Sequence, residues 1–218
     1  MDIISRMVPL VLEGGKTTLG VFAFTLLFSL PLALPVALCR ISKIGAVRKI
    51  TAAYIYVMRG TPLLLQLMFV FFGLPLIPVV GLTLGRYTSI LVAFVLNYTA
   101  YYSEILRGGI QSMDPGQWEA GKMLGLSKSY TFLKIILPQV LKRTWPAIAN
   151  EIITLVKDTS LVYVLGVMDI LKAAKSVSNA TSSILPYVYI GVIYLVAIGI
   201  LTVILERIEG KLQHETEY

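Results

Sequence analysis

The feature that most constrains this chain is a stretch of 23 residues without a charged side chain, residues 17–39. About 20 apolar residues in a helix cross the hydrocarbon core of a bilayer. A second uncharged run of 26 residues lies between Arg59 and Arg86, and a third covers residues 176–205. A soluble domain could not bury so much apolar sequence, and exposing it to water would cause aggregation. The sequence therefore predicts an integral membrane protein.

Composition agrees with a membrane location. Hydrophobic residues make up 56% of the chain and charged residues 14%, whereas soluble domains carry about a quarter charged residues. The net charge of +7 would suggest nucleic-acid binding in a soluble protein, but here it reflects the Lys and Arg that cytoplasmic loops collect. The single cysteine, Cys39, excludes an internal disulfide framework. Because Cys39 ends an apolar run, we expect a buried and unreactive thiol.

Hydropathy predicts five membrane spans in one all-α domain. They cover about residues 15–40, 60–80, 87–106, 145–168 and 183–206. The third span is short, and the fourth is interrupted by Glu151, Lys157 and Asp158. An odd number of spans places the two termini on opposite sides of the membrane. The loops that follow spans one, three and five hold more Lys and Arg, so we expect the N-terminus outside and the C-terminus inside.

The loop at residues 108–143 is too polar to span the membrane and too rich in helix-forming residues to be a simple connection. Turn signals at residues 114–116 and 125–127 divide it into a predicted helix at 115–124 and another at 130–137. Gly125 can take the positive φ that ends the first helix. Pro138 is expected to end the second. The sequence thus predicts a helical hairpin at the cytoplasmic surface.

A spaced motif in this loop points to a family. Glu119-Ala120-Gly121 is followed after three residues by Gly125, after nine more by Ile135, and after one more by Leu137-Pro138. This arrangement resembles the EAA loop of ATP-binding-cassette importer permeases, in which the pattern is E-A-A, three residues, G, nine residues, I, one residue, L-P. Every interval matches, and the only departure is Gly121 in place of the second alanine.

Other segments resemble the polar amino acid branch of these permeases, the histidine, glutamine and arginine type. They include residues 15–19, 59–66, 97–104 and 157–161, so the resemblance runs from about residue 10 to 208. It implies the type I importer permease fold and a prokaryotic inner-membrane location. It also implies a dimer with a second copy or a similar chain, two ATPase partners that bind ATP and Mg²⁺, and an extracytoplasmic amino acid binding protein.

The resemblance assigns contact with the ATPase to the hairpin, through Glu119, Ala120, Gly121, Gly125 and Pro138. Coupling needs a short rigid lever docked in a cleft of the ATPase, and Ala120 and Gly121 are small enough to let a partner surface approach. The alternative is an amphipathic hairpin that rests on lipid headgroups without a protein partner.

Charged residues within a span cost a few kcal/mol each and mark a pathway, an ion pair or a polar interface. Glu151 and Asp158 are seven residues apart and therefore share one helix face. They either line a cavity for the substrate or are neutralised by Lys157 or Arg59 at a dimer interface. The resemblance adds an asparagine of the third span, Asn97, as an expected substrate contact. Two carboxylates slightly favour a cationic amino acid over other polar ones.

Several chemistries are excluded. The only histidine, His214, lies in the tail, which leaves no cluster for a metal and no histidine-based catalysis. The phosphate-binding sequence G-x-x-x-x-G-K-[ST] is missing, so we expect neither a cofactor nor enzyme activity on this chain. A subunit of a secondary transporter, with internal repeats and broken helices, is one alternative function, and a membrane scaffold without transport activity is another. The sequence leaves the choice of amino acid and of homodimer or heterodimer open.

Overall fold

The structure is a computed structural model that describes residues 3–78 and 81–214. Within these ranges every regular element is helical, which confirms the all-α prediction. The helices are α1 (Ile3–Arg40), α2 (Gly45–Gly60), α3 (Leu63–Met68), α4 (Arg86–Gln111), α5 (Pro115–Met123), α6 (Lys128–Tyr130), α7 (Leu137–Asp158), α8 (Ile170–Thr181) and α9 (Leu185–His214). Shorter π and 3-10 segments extend three of them, at Phe69–Gly73 and Leu74–Leu76 after α3, Thr131–Ile136 after α6, and Thr159–Leu165 after α7.

Three of the described helices, α1, α4 and α9, are long and apolar enough to cross a bilayer. A fourth span is possible if α2 and the helical segment from Leu63 to Leu76 form one broken span, because the two halves meet at 108°. The predicted fourth span corresponds to α7, a helix with charged residues near both ends. The number of spans and their limits therefore stay predictions.

The break between α2 and α3 is held by side-chain amides. The Gln66 amide donates to the Met58 carbonyl (2.9 Å) and to the Thr61 hydroxyl (2.8 Å). From the neighbouring helix α4, the Asn97 amide donates to the same Met58 carbonyl (3.1 Å) and to Gln66 Oε1 (2.9 Å). A helix can break inside a membrane only where neighbours satisfy its freed backbone groups. These bonds satisfy that condition at the bend between α2 and α3. The uncharged run between Arg59 and Arg86 did not predict the bend.

Helix α4 lies at the centre of the bundle, where α1, α2, α3 and α7 pack on it. Three of its aromatic side chains, Phe94, Tyr98 and Tyr102, are fully buried. Close packing against α7 requires Gly109, since a Cβ there would lie 2.4 Å from Thr144 Cγ2. Helices α8 and α9 pack together, α8 also lies against α1, and α9 lies against α7. The residues around the middle of α4 thus face α2, α3 and α7 at once.

Much of the outer surface is apolar, especially on α1 and α9, as expected for helices that face lipid or a second subunit. Cys39 is exposed on this surface, so the expectation of a buried thiol was wrong for the isolated chain. Apolar residues occur both in a protein core and on a surface that faces lipid. The apolar run that ends at Cys39 therefore did not show that the thiol is buried.

Candidate functional site

The three predicted substrate contacts line one cavity between α3, α4 and α7. The cavity has a volume of about 380 Å³. Its lining consists of Thr61, Pro62, Leu63, Leu64, Asn97, Tyr98, Tyr101, Glu151, Thr154, Asp158 and Leu161. None of these residues is basic, so the charges at this cavity wall, hereafter the acidic cavity, are those of Glu151 and Asp158.

The two carboxylates have different surroundings. The Tyr98 hydroxyl donates a 2.7 Å hydrogen bond to Asp158 Oδ2, and the Tyr98 ring is buried between helices. Glu151 lies two turns earlier on the same face of α7. Lys157 directly precedes Asp158 in the chain, but its side chain is exposed and does not line the cavity. Among the described residues of this single chain, neither carboxylate forms an ion pair with Lys157 or Arg59.

Asn97 touches the acidic cavity but is occupied by the protein. Both hydrogens of its amide are donated, one to the Met58 carbonyl and one to Gln66 Oε1, and the residue is 4% exposed. It therefore offers a ligand an acceptor oxygen and no donor. Met58 and Gln66, on either side of the break between α2 and α3, are the partners that fix the Asn97 amide.

Two tyrosines at the acidic cavity were missed from the sequence. Tyr98 orients Asp158, and Tyr101 contributes its ring to the cavity wall. The Arg59 guanidinium lies 5.4 Å from the centroid of the Tyr101 ring, a cation–π distance. A sequence signal was present for Tyr101, which lies four residues and about one turn after Asn97 and so shares its helix face, but not for Tyr98, which is the next residue in the chain.

The first helix of the predicted hairpin is confirmed, with its start as predicted and its end one residue earlier, at Met123. Helix α5 begins at Pro115 after an N-cap, Asp114, whose Oδ1 accepts from the Gly116 amide (2.8 Å). Gly125 has φ of +71°, as predicted for the residue that ends this helix. The Leu126 amide then donates to the Gly121 carbonyl at 3.0 Å, which satisfies a terminal carbonyl of α5.

The second helix of the hairpin does not end at Pro138, and that prediction was wrong. The chain stays helical from Lys128 to Asp158 and passes through a π turn at Thr131–Ile136. In this turn the Leu137 amide donates to the Phe132 carbonyl, five residues back. A proline just after such a turn sits near the start of a new α-helical register, where its missing N–H is tolerated.

Gly121 is buried within the hairpin, contrary to the expectation that it faces a partner. A Cβ at this position would lie 2.6 Å from Thr131 Oγ1 and 2.7 Å from Thr131 Cγ2. The Trp118 and Phe132 rings stack beside this contact, with centroids 6.2 Å apart. Gly121 therefore lets α5 pack on the π turn that leads into α7.

The outer face of α5 is open. Glu119 and Ala120 are exposed, and the apolar side chains of Met123 and Leu124 are 86% and 75% exposed. Large apolar side chains at such exposure beside a charged residue are typical of a surface that a partner covers.

Comparison with known proteins places this geometry in context. Residues 29–213 match the family described as "Binding-protein-dependent transport system inner membrane component". An arginine transport system permease protein of Bacillus subtilis is 40% identical over 94% of this chain and 94% of its own length. An L-cystine transport system permease protein of the same species is 34% identical over 97% of this chain and 90% of its own length.

Solved structures give the same result. The chain superimposes on the crystal structure of an amino acid ABC transporter with histidines, with a TM-score of 0.86 and 32% identity, covering 97% of this chain and 99% of that one. The methionine ABC transporter in inward-facing conformations has a TM-score of 0.75 at 17% identity over the same shares and supports the fold alone.

Proposed function

Because the chain belongs to the family of inner-membrane components of binding-protein-dependent transport systems, we propose that it forms half of a pathway for a cationic amino acid. It is a multi-pass permease subunit of an ATP-driven amino acid importer in the cell membrane, and ATP is hydrolysed on a separate chain. That partner binds the ATP and Mg²⁺. Cargo arrives from an extracytoplasmic binding protein, and a second permease subunit, identical or similar, completes the pathway.

The proposed arrangement in the membrane has five spans, with the N-terminus outside and the hairpin at residues 108–143 inside. In this arrangement α7 is the fourth span despite its charges, because the stripe of Glu151 and Asp158 faces the acidic cavity rather than lipid. The basic residues before α2 and around the hairpin then lie in the cytoplasm, as the distribution of Lys and Arg requires.

The acidic cavity is the observation on which the substrate class rests. Its lining has two carboxylates and no basic residue, so the potential inside favours a ligand with excess positive charge. An amino acid with a cationic side chain carries two positive groups and one negative group, and Glu151 and Asp158 match the two positive groups in number. The name of the Bacillus subtilis relative, an arginine transport permease, supports the same class.

Coupling to the ATPase follows from the hairpin. Glu119, Met123 and Leu124 form the exposed face that would dock in the ATPase. The opposite face, at Gly121, is packed on the π turn that continues into α7. A movement of the ATPase surface would therefore pass from α5 to the helix that carries Glu151 and Asp158.

The test measures uptake in proteoliposomes that contain the permease, its ATPase and the cognate binding protein. Glu151→Gln and Asp158→Asn are each expected to lower L-arginine uptake at least about tenfold, since a charge-assisted contact contributes roughly 1.5–3 kcal/mol. The matched control is Glu206→Gln, which removes an exposed carboxylate on α9. Uptake that favours L-glutamate or L-leucine over L-arginine in the unmodified complex would refute the cationic substrate.

A further inference from the structure

A second polar cavity adjoins the acidic one. It has a volume of about 410 Å³ and lies between the end of α1, the C-terminal half of α2 and the second half of α4. Its lining consists of Arg40, Ala52, Ile55, Tyr56, Arg59, Gly60, Tyr101 and Glu104. Tyr101 lines both cavities, so its ring is the shared wall between them.

The charge of this second cavity is opposite to that of the first. Two guanidinium groups, Arg40 and Arg59, line it together with one carboxylate, Glu104. The Arg107 side chain pairs with Glu104 Oε1, with Nε at 2.7 Å. The other oxygen, Glu104 Oε2, is buried and has no hydrogen-bond partner among the described residues. A carboxylate oxygen without a partner in a buried position is unfavourable, and a donor that reaches it would be bound well.

The acidic cavity matches the two positive groups of a cationic amino acid but offers no partner for its α-carboxylate. The α-carboxylate of an amino acid is negative, and it would face Glu151 and Asp158 with no cation in the cavity lining. One residue of this lining, Tyr101, contacts a cation, because the Arg59 guanidinium lies 5.4 Å from the centroid of the Tyr101 ring. A guanidinium can leave a ring face to bind a carboxylate with two parallel hydrogen bonds, which is the stronger contact.

We propose that the second cavity is a second binding site for the amino acid, between the acidic cavity and the cytoplasm, where Arg59 binds its α-carboxylate. The α-ammonium group pairs with the Glu104 carboxylate at the cavity wall when the cavity is occupied. Arg40 adds positive charge at the same end. This proposal rests on the proposed function, because it assumes that an amino acid crosses through the acidic cavity.

The experiment uses the complete complex of permease and ATPase in nanodiscs of phosphatidylcholine. One cysteine reports on each cavity, in a Cys39→Ser background: Ala52→Cys in the second cavity and Thr154→Cys in the acidic one. The rate of modification by methyl methanethiosulfonate is measured without ligand, with L-arginine, and with agmatine, which is arginine without its carboxylate. At about ten times the dissociation constant a bound ligand leaves roughly a tenth of the sites free.

We expect L-arginine to slow modification of Ala52→Cys about tenfold and agmatine to leave it nearly unchanged. Adding Arg59→Gln should abolish this protection, and Arg59→Lys should retain part of it, since lysine keeps the charge without the two-pronged contact. Arg48→Gln, an exposed position on the same helix, should leave protection intact. If Arg59→Gln does not assemble, the comparison of L-arginine with agmatine still tests whether the second cavity binds the α-carboxylate.

The two proposals fail in different ways. If L-arginine protects neither Thr154→Cys nor Ala52→Cys, the proposed function is wrong. If L-arginine protects Thr154→Cys but not Ala52→Cys, or if agmatine protects Ala52→Cys as well as L-arginine does, the second site is overturned. Protection of Ala52→Cys that depends on adding anionic lipid instead of L-arginine would also overturn it and identify a lipid headgroup as the ligand.

Discussion

The contact between Gly121 and Thr131 allows a prediction that runs against the family pattern. Gly121→Ala produces the alanine that the EAA pattern has, so sequence reasoning alone expects it to be harmless. In this chain the new Cβ would lie 2.6–2.7 Å from two atoms of Thr131, about 1 Å inside the normal contact distance. Thr131 is buried, and its hydroxyl donates to the Ser127 carbonyl at 3.1 Å, so its side chain is poorly placed to move aside.

The magnitude follows from two opposing effects. Overpacking of this kind costs about 1–3 kcal/mol, and replacing glycine by alanine within a helix returns about 1 kcal/mol. Because Thr131 is poorly placed to move aside, we expect an overpacking cost near the upper end of that range and a net cost of roughly 1–2 kcal/mol, most of it as displacement of α5 from the π turn rather than unfolding of the membrane bundle. Since α5 carries the exposed face, the apparent affinity of the ATPase for the permease should fall by up to about 30-fold.

The assay is ATP hydrolysis by permease in nanodiscs, titrated with the ATPase subunit in the presence of loaded binding protein. Gly108→Ala is the matched control, because a Cβ at this helical glycine meets no atom within 4 Å. The double variant Gly121→Ala/Thr131→Ala removes the two closest atoms and should recover most of the affinity. The reasoning is refuted if Gly121→Ala titrates like Gly108→Ala, or if the double variant is no better than the single one.

Two further predictions concern the cavity and the packing of α8. Tyr98→Phe removes the 2.7 Å hydrogen bond that orients Asp158, so the L-arginine dissociation constant should rise about five- to tenfold in equilibrium binding. Unchanged affinity would mean that Asp158 needs no such support. Gly14→Ala places a Cβ 2.4 Å from the Asp169 carbonyl carbon and should lower the thermal midpoint by roughly 3–10 °C, whereas Gly15→Ala, whose Cβ meets nothing, should not. Equal midpoints for the two glycine variants would contradict the packing.

The hairpin illustrates which structure was predictable from sequence. The start of α5 at Asp114-Pro115 and its end at Gly125 depend on local chemistry, a cap, a proline and a positive φ, and both are present as expected. The end of the second helix was misjudged because the rule for Pro138 assumes an unbroken α-helix before it. The π turn changes that register, and its first residue, Thr131, packs on Gly121 across the hairpin, a contact that helix periodicity does not predict.

The candidate site was also predictable in part: local periodicity was predictable, and contacts between distant residues were not. The face shared by Glu151 and Asp158 follows from helix periodicity, and the structure places both at one cavity. The partners of Asn97 could not be inferred, because they belong to a helix break held by residues 31 and 39 positions away in the chain. Arg59 and Tyr101 likewise meet only through the packing of α2 on α4.

The continuity of the helix from Lys128 to Asp158 gives the proposed coupling its geometry. Glu151 lies 20 residues beyond Thr131, which is about 30 Å along a helix. A tilt of about 5° at the π turn would move Glu151 by roughly 2.6 Å, nearly the length of a hydrogen bond. π turns are sites where helices bend and change register, and this one is packed directly against the α5 contact. A small displacement of the exposed face of α5 is therefore large enough to break or make contacts of Glu151 and Asp158 with a ligand, without any change in the packing of α1 on α4.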